Sequence, residues 1–349
     1  MTTAENLLSA APVLRAVARR QGRAATAVAK GAAPAYALWW TGVVAAVAWA
    51  ALGLLTALWP NKPVGFSEWA YTAEFAWFAG LVAASLLVLG FTASDTAKVR
   101  TAGPWLIALA LGLAVWEVVT AKLGSLPPPF FAPPQSLAEV FISDWRRLLD
   151  SVAHSLQLLG LGIGIGAAVG FLVGVCIGWS RRANYWVHPI LRVLGPLPTT
   201  ALLPISFYFF PSSWSTAIFL IALGTAFPVA ILSASGVASV NKNFYDVART
   251  MGASPWFLVL RVAIPAALPQ VFVGLFMGLG HAFATLVVAE MLGVKAGLGW
   301  YLTWAQGWAA YPNMYAALLV MALLFSGLIS LLFVLRDRVL SWQKGMLKW

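Results

Sequence analysis

The residues of this chain that could do chemistry are few, and several lie in the stretch YDVARTMGASPWFLVLRVAIPAALP, residues 245–269. It carries Asp246, Arg249 and Arg261 in a protein of 349 residues of which only 9% are charged. Carboxylate and guanidinium groups form ion pairs, but no histidine, cysteine or second carboxylate stands beside them to build a catalytic or metal site. The stretch therefore favours recognition of a partner over catalysis.

The remainder of the sequence is strongly apolar, with 61% hydrophobic residues, 18 Trp and 20 Phe. A soluble protein would carry roughly a quarter charged residues. A helix that crosses a bilayer needs about 20 mostly apolar residues. The sequence predicts an all-α polytopic membrane protein with about eight spanning helices, at residues 36–59, 74–93, 103–121, 153–179, 186–210, 214–237, 266–292 and 314–335.

The distribution of basic residues predicts the orientation of these helices. With the N-terminus inside, sixteen Lys and Arg fall on the inner side and five on the outer side, and Arg192 is left near a helix start. Positive charge collects in cytoplasmic loops, so both termini and the stretch at 245–269 are predicted to be cytoplasmic. The same tally accounts for the net charge of +11 without a nucleic-acid partner. Residues 1–35 are interpreted as a basic cytoplasmic tail rather than a signal or transit peptide.

Residues 241–265, called here the charged segment, contain strong local structure signals. Asn243 is predicted to cap a short helix that runs to about Met251, and Gly252 to end it in a left-handed turn. Ser254 and Pro255 then start a second helix. The prediction is a helix–turn–helix whose exposed side chains fit into a groove of a partner protein. The alternative is an amphipathic loop that lies on lipid headgroups.

Glycines in residues 160–178 superficially resemble a nucleotide-binding loop, but no strand precedes them. They recur every fourth residue, at Gly162, Gly166, Gly170, Gly174 and Gly178. This spacing places them on one helical face and predicts close packing of two membrane helices. Gly274 and Gly278 form a shorter row of the same kind.

The span at 186–210 is rich in proline, which disfavours a regular helix. It is either a kinked packing helix or a broken helix that lines a permeation path. Irregular backbone at membrane depth is tolerated where it is buried in protein or lines a water-filled cavity. The candidate path residues are Pro196, Pro198, Thr199, Thr200, Pro204 and His281.

Ionisable residues within predicted spans are candidates for function, and three of them bear on it here. His281 is either a packing histidine or a substrate contact, and Glu117 and Glu290 are expected at the membrane interface because they lie near helix ends. No array of membrane carboxylates indicates a proton relay. No cofactor or metal site is predicted, and the lone Cys176 cannot form an internal disulfide.

The charged segment resembles the cytoplasmic signature loop of permeases of ABC importers, E-A-A-x3-G-x9-I-x-L-P. The matching positions are Asp246, Val247, Ala248, Gly252, Val262, Ile264 and Pro265. Ala, Gly and Pro are kept at the family spacing, whereas Asp, Val, Val and Ile replace Glu, Ala, Ile and Leu. The blocks PPPFFAPPQSLAEVF, GPLPTTALLPI and VVAEMLGVKAGLGW occur in the order found in nitrate-, sulfonate- and taurine-type permeases. The resemblance covers about residues 103–340.

The resemblance implies a type I ABC importer transmembrane domain at 103–349 behind a two-helix extension at 36–102. It implies a bacterial inner-membrane protein, a dimer of permease chains, cytoplasmic ATP-binding subunits, and a periplasmic or lipid-anchored solute-binding protein. Coupling to the ATP-binding subunit is then assigned to Asp246, Val247, Ala248, Arg249, Met251, Gly252, Ala253 and Pro265.

The chain has no G-x4-G-K-[ST] phosphate loop, so ATP hydrolysis by that machinery is assigned to a separate subunit. The other interpretations are an ion-coupled secondary transporter, which would show inverted repeats and ion-site residues, and a scaffold of a membrane complex. The solute is not encoded in this chain, because the family's specificity resides largely in the binding protein.

Overall fold

A computed structural model of the protein describes residues 39–62, 69–92, 97–126, 129–195 and 197–342. All regular structure in these ranges is helical, which confirms the predicted all-α fold class. The helices are α1 (Trp40–Leu58), α2 (Thr72–Thr92), α3 (Ala97–Glu117), α4 (Pro134–Ser143), α5 (Trp145–Trp179), α6 (Arg181–Leu194), α7 (Leu203–Phe209), α8 (Ser213–Ala238), α9 (Lys242–Thr250), α10 (Pro255–Phe257), α11 (Ile264–Leu292), α12 (Leu298–Gly307) and α13 (Tyr311–Val339). The predicted tail at 1–35 lies outside the described residues.

Seven helical runs in the described part of the chain are long and apolar enough to cross a membrane. The count reaches eight, as the sequence predicts, if the bent pair of α6 and the run Thr199–Phe209 forms one span. The two halves of this pair meet at 88°. Pro189 lies inside α6, whereas Pro198 directly precedes the run that begins at Thr199, so the segment is broken there. That this segment lines a permeation path stays a prediction.

Of the described residues, the first compact unit comprises 39–62, 69–92, 97–126 and 133–135, and contains α1, α2 and α3. Trp49 of α1 is buried among alanines of α1 and α2, and its Nε1 donates a hydrogen bond to the Leu106 carbonyl of α3 at 3.1 Å. α3 therefore packs with α1 and α2 in the same unit. The family domain that the sequence predicts from residue 103 stays a prediction.

The Glu117 side chain is fully buried in this unit, and its predicted interfacial depth stays a prediction. Lys122 is buried beside it, with its Nζ 3.5 Å from Glu117 Oε1. The same ammonium group donates hydrogen bonds to the Trp59 carbonyl at 2.6 Å, Asn61 Oδ1 at 2.7 Å and the Thr56 carbonyl at 3.0 Å. A buried charge is tolerated when it is paired and hydrogen-bonded in this way. The pair ties the end of α3 to the end of α1.

Of the described residues, the second compact unit comprises 129–132, 136–195 and 197–342, and its centre is α8. The glycine row of α5 packs against one face of α8: a Cβ on Gly170 would lie 2.5 Å from the Ala226 carbonyl oxygen, and one on Gly174 would lie 2.5 Å from that of Ala230. Gly274 and Gly278 of α11 approach the other face of α8, at Val229 and Thr225. Both glycine predictions are confirmed, and α8 is held between two helices at backbone contact.

Candidate functional site

The turn of the charged segment is a Schellman motif at the end of α9. The Ala253 N–H donates to the Ala248 carbonyl at 3.0 Å and the Gly252 N–H donates to the Arg249 carbonyl at 2.9 Å. Gly252 has φ of +81°, a left-handed conformation that glycine adopts without a Cβ penalty. The predicted turn is confirmed, and the left-handed conformation explains why glycine occupies position 252.

The two helices of the charged segment begin at capped residues, one of them shifted from the prediction. Asn241, not Asn243, caps α9, because its side chain accepts a hydrogen bond from the Asn243 N–H at 3.0 Å. Ser254 caps α10 as predicted, accepting from the Phe257 N–H at 3.3 Å, with Pro255 as the first helical residue.

The second helix does not end at Pro265, where the sequence predicts a boundary before the next spanning helix. It passes through a π turn at Leu258–Ala263 into α11, so that Pro255–Leu292 is one apolar helical run. Proline cannot donate a backbone hydrogen bond to the preceding turn, and a widened turn accommodates that missing donor. The charged segment is therefore continuous with a membrane-spanning helix.

The base of the charged segment is anchored to the membrane bundle by Tyr245. Its ring lies 5.8 Å from that of Trp179 and packs on a buried cluster that includes Val237, Ala263 and Ala267. Burial raises the pKa of the Tyr245 hydroxyl above its ordinary value. The segment is thus fixed at its base and free at its tip.

The tip presents apolar side chains to the surroundings. Val247 is 61% exposed, Met251 84% and Trp256 75%. Beside them Asp246 Oδ1 and Arg249 NH1 form an exposed ion pair at 3.6 Å. Exposed apolar groups rimmed by charge are typical of a surface that another protein covers.

The second candidate site is a cavity of about 340 Å³ bordered by Pro198, Thr199, Thr200 and His281, called here the Thr199 cavity. Thr199 Oγ1 and Thr285 Oγ1 lie 2.7 Å apart, and Thr285 Oγ1 donates to the His281 carbonyl at 2.9 Å. The hydroxyls therefore tie the irregular backbone after α6 to α11.

The predicted path residues do not all meet at this cavity. The His281 side chain is exposed on its helix and borders the cavity instead of being packed in the core. Pro204 lies on α7, exposed and away from the cavity lining. Pro196 lies outside the described residues.

A polar junction around Glu290, which is 1% exposed, was not anticipated from the sequence, and the predicted interfacial depth of this residue stays a prediction. Its Oε2 accepts from the Gly299 N–H at 2.8 Å and its Oε1 from the Ser155 hydroxyl at 2.7 Å. Ser155 Oγ in turn accepts from the Leu298 N–H at 2.9 Å. The carboxylate satisfies unpaired N–H groups at the start of α12, where the helix dipole favours negative charge. The only sequence signal was a carboxylate in an apolar run.

The junction continues into α13 through Tyr301. The Tyr301 hydroxyl donates to Asp144 Oδ2 at 2.7 Å and accepts from Asn313 Nδ2 at 2.7 Å. Burial, followed by the neighbouring Asp144 carboxylate, raises the pKa of this hydroxyl above its ordinary value, despite the opposing hydrogen bond from Asn313. These contacts join α5, α11, α12 and α13 at one end of the second unit.

Solved structures of similar shape include the MetNI methionine ABC transporter in inward facing conformations, at 20% identity and a TM-score of 0.45. That alignment covers 56% of this chain and 94% of the other.

Curated relatives are permeases. The nitrate import permease protein NrtB of Synechococcus elongatus is 29% identical over 70% of this chain and 89% of its own length. The NrtB of Leptolyngbya laminosa is 30% identical over 67% and 84%. A putative aliphatic sulfonates transport permease protein, SsuC of Bacillus subtilis, is 28% identical over 68% and 86%.

The sequence model of one family matches residues 161–343, which include α6, the Thr199 cavity, the charged segment and Glu290 itself. These matches agree with the resemblance carried by the charged segment. The chain belongs to the family described as the binding-protein-dependent transport system inner membrane component.

Proposed function

We propose that this protein is the permease subunit of an ATP-driven importer in the inner membrane, with both termini in the cytoplasm. ATP is hydrolysed by a separate cytoplasmic subunit, and a binding protein delivers the solute to the outer face. Two permease chains form the working unit. The solute is a small anion or organic acid of the nitrate or sulfonate class, which the names of the relatives support.

One observation carries the proposal: the exposed tip of the charged segment is joined, through a single Schellman turn, to a spanning helix that borders the Thr199 cavity. His281 lies 26 residues after Pro255 on the single run Pro255–Leu292, which corresponds to about 39 Å of helix. Because this run is helical throughout, a displacement of the tip is transmitted to the cavity wall. The Schellman turn keeps α9 in a defined orientation relative to that run.

The mechanical role of the chain follows from this connection. Closure of the ATP-binding subunits displaces the tip, and the bundle exchanges two arrangements that differ in access to the cavity. Binding energy shifts such an equilibrium only if the partner contacts differ between the two states. The exposed side chains of Val247, Met251 and Trp256 supply those contacts in this proposal.

Met251 is expected to cross-link to the ATP-binding subunit. The exposed Cys176 is first replaced by serine, which leaves a background without cysteine. Met251→Cys in this background should form a disulfide or bismaleimide product with a cysteine in the partner's groove, with a yield that changes when ATP is added. The readout is a shifted band on a non-reducing gel of the purified complex.

The matched control is Tyr208→Cys, an 88% exposed position on α7 outside the charged segment. It should give no such product. Equal cross-linking at both positions, or none at Met251, would remove the docking assignment.

The Thr199 cavity is proposed as part of the translocation path. Thr200→Cys in the same background should react with a small charged thiosulfonate reagent, and the modification should block uptake because it fills a cavity of only about 340 Å³. Leu172→Cys, 64% exposed on the apolar α5, is the control. A thiol in hydrocarbon does not form the reactive thiolate. Full uptake after complete modification of Thr200→Cys would exclude this cavity from the path.

A further inference from the structure

A second and larger cavity, of about 790 Å³, lies between the charged segment, α6 and the ends of α5 and α8. We call it the Arg181 cavity. Three basic side chains, Arg181, Lys242 and Arg249, border it together with His188 and one carboxylate, Asp246. That carboxylate already pairs with Arg249 at 3.6 Å. Arg181 and Lys242 are therefore left as an excess of positive charge at the cavity wall.

Three polar groups of this cavity come from one face of α6. Arg181, Asn184 and His188 are three and four residues apart, the spacing that aligns side chains on a helix. They present a guanidinium, an amide and an imidazole to the same space. Guanidinium and amide donors at this density suit a phosphate oxyanion, which accepts several hydrogen bonds at once.

The opposite face of α6 is apolar and uncovered within the second unit. Trp186 is 72% exposed, Ile190 53% and Val193 69%. A helix with basic residues on one face and tryptophan and aliphatic residues on the other is typical of the membrane interface. α6 meets the following helical run at 88°, and the charge tally predicts the loop at Arg181 and Arg182 to be on the inner side. The cavity is thereby expected beside the headgroups of the inner leaflet, which carry negative charge.

We propose that the Arg181 cavity binds a phosphate-bearing anion, supplied by the headgroup of an anionic phospholipid, with Arg181 and Lys242 as the groups that hold the phosphate. The lipid's acyl chains extend from the phosphate along apolar residues of the cavity wall, which include Leu191 of α6 and Ile231 of α8. The site is separate from the Thr199 cavity and does not depend on which solute is transported.

The test is native mass spectrometry of the full-length protein, purified with its partner subunits, titrated with phosphatidylglycerol or with phosphatidylcholine of the same acyl chains. Phosphatidylglycerol should be retained at a lower concentration than phosphatidylcholine. A basic residue near an anionic surface contributes about fivefold in affinity, so the double variant Arg181→Gln with Lys242→Gln should lose on the order of 20-fold.

Arg182→Gln is the matched control, because Arg182 is the exposed neighbour on the same helix and does not border the cavity. It should keep phosphatidylglycerol affinity within about twofold. Should the double variant fail to purify, the two single variants and the comparison of lipids on the unchanged protein carry the same test. Equal retention of both lipids, or an equal loss with Arg182→Gln, would overturn the proposal.

A competition arm identifies the source of the phosphate. Millimolar inorganic phosphate at constant ionic strength should leave phosphatidylglycerol bound, because the lipid also packs on α6. Displacement of the lipid by inorganic phosphate would assign the cavity to soluble phosphate and overturn the lipid part of the proposal.

Discussion

Replacing Gly252 by proline is expected to abolish ATP-driven uptake while the spanning helices remain folded. Gly252 has φ of +81°, whereas proline is held near −65°. Its N–H donates to the Arg249 carbonyl at 2.9 Å, and proline has no N–H. Both changes break the Schellman turn and reorient α9 relative to the run Pro255–Leu292. The effect stays local, because a Cβ at Gly252 would meet nothing within 4 Å.

The measurement is ATP-dependent solute uptake by the variant complex in proteoliposomes, with thermal unfolding as the check on folding. Gly252→Asn is the matched control, since asparagine tolerates the left-handed region better than other non-glycine residues. It should retain most of the uptake. Normal uptake by Gly252→Pro would show that the turn has no part in coupling.

Gly170→Ala is expected to destabilise the second unit although it adds a single methyl group. That methyl carbon would lie 2.5 Å from the Ala226 carbonyl oxygen and 2.9 Å from the Ala226 Cα, both backbone atoms of α8. Backbone cannot rotate away, so α5 and α8 must separate. Overpacking of this kind costs about 1–3 kcal/mol or more. A lower unfolding temperature in detergent, with loss of the monodisperse species, is the expected observation.

Gly164→Ala on the same helix is the control, because its Cβ would meet nothing within 4 Å. Alanine also has the higher helix propensity, by about 1 kcal/mol. Gly164→Ala should therefore match or slightly exceed the parent in stability. If the two variants unfolded at the same temperature, close packing of α5 on α8 would not be what the glycine row provides.

The features that the sequence predicts well are those whose cause is local. The four-residue glycine period and the Gly252, Ser254 and Pro255 signals act within one or two helical turns, so no distant partner needs to be known. The cap at Asn241 instead of Asn243 shows the limit of such signals, because both asparagines lie where either could cap the start of α9. The prolines of the span at 186–210 likewise indicate an irregular helix, but they predict neither the position of its break nor the 88° angle between its halves.

The features that the sequence does not predict depend on residues far apart in the chain. Ser155 and Glu290 are 135 residues apart and meet only because α5 and α11 both pack near α12. Lys122 reaches carbonyls of α1 more than 60 residues away. A carboxylate near a helix end is therefore expected at the interface when only its own helix is considered. Its burial becomes evident only when the hydrogen-bond donors or the cation that contact the carboxylate from distant parts of the chain are known.

The central claim is that this chain is moved by ATP-binding subunits through the charged segment, and uptake in proteoliposomes tests it most directly. The purified complex should accumulate solute only when ATP and the binding protein are both supplied, whatever ion gradient is imposed. The chain reconstituted without ATP-binding subunits should accumulate none. Uptake by the chain by itself, driven by an ion gradient and unaffected by ATP, would contradict the account and identify a secondary transporter.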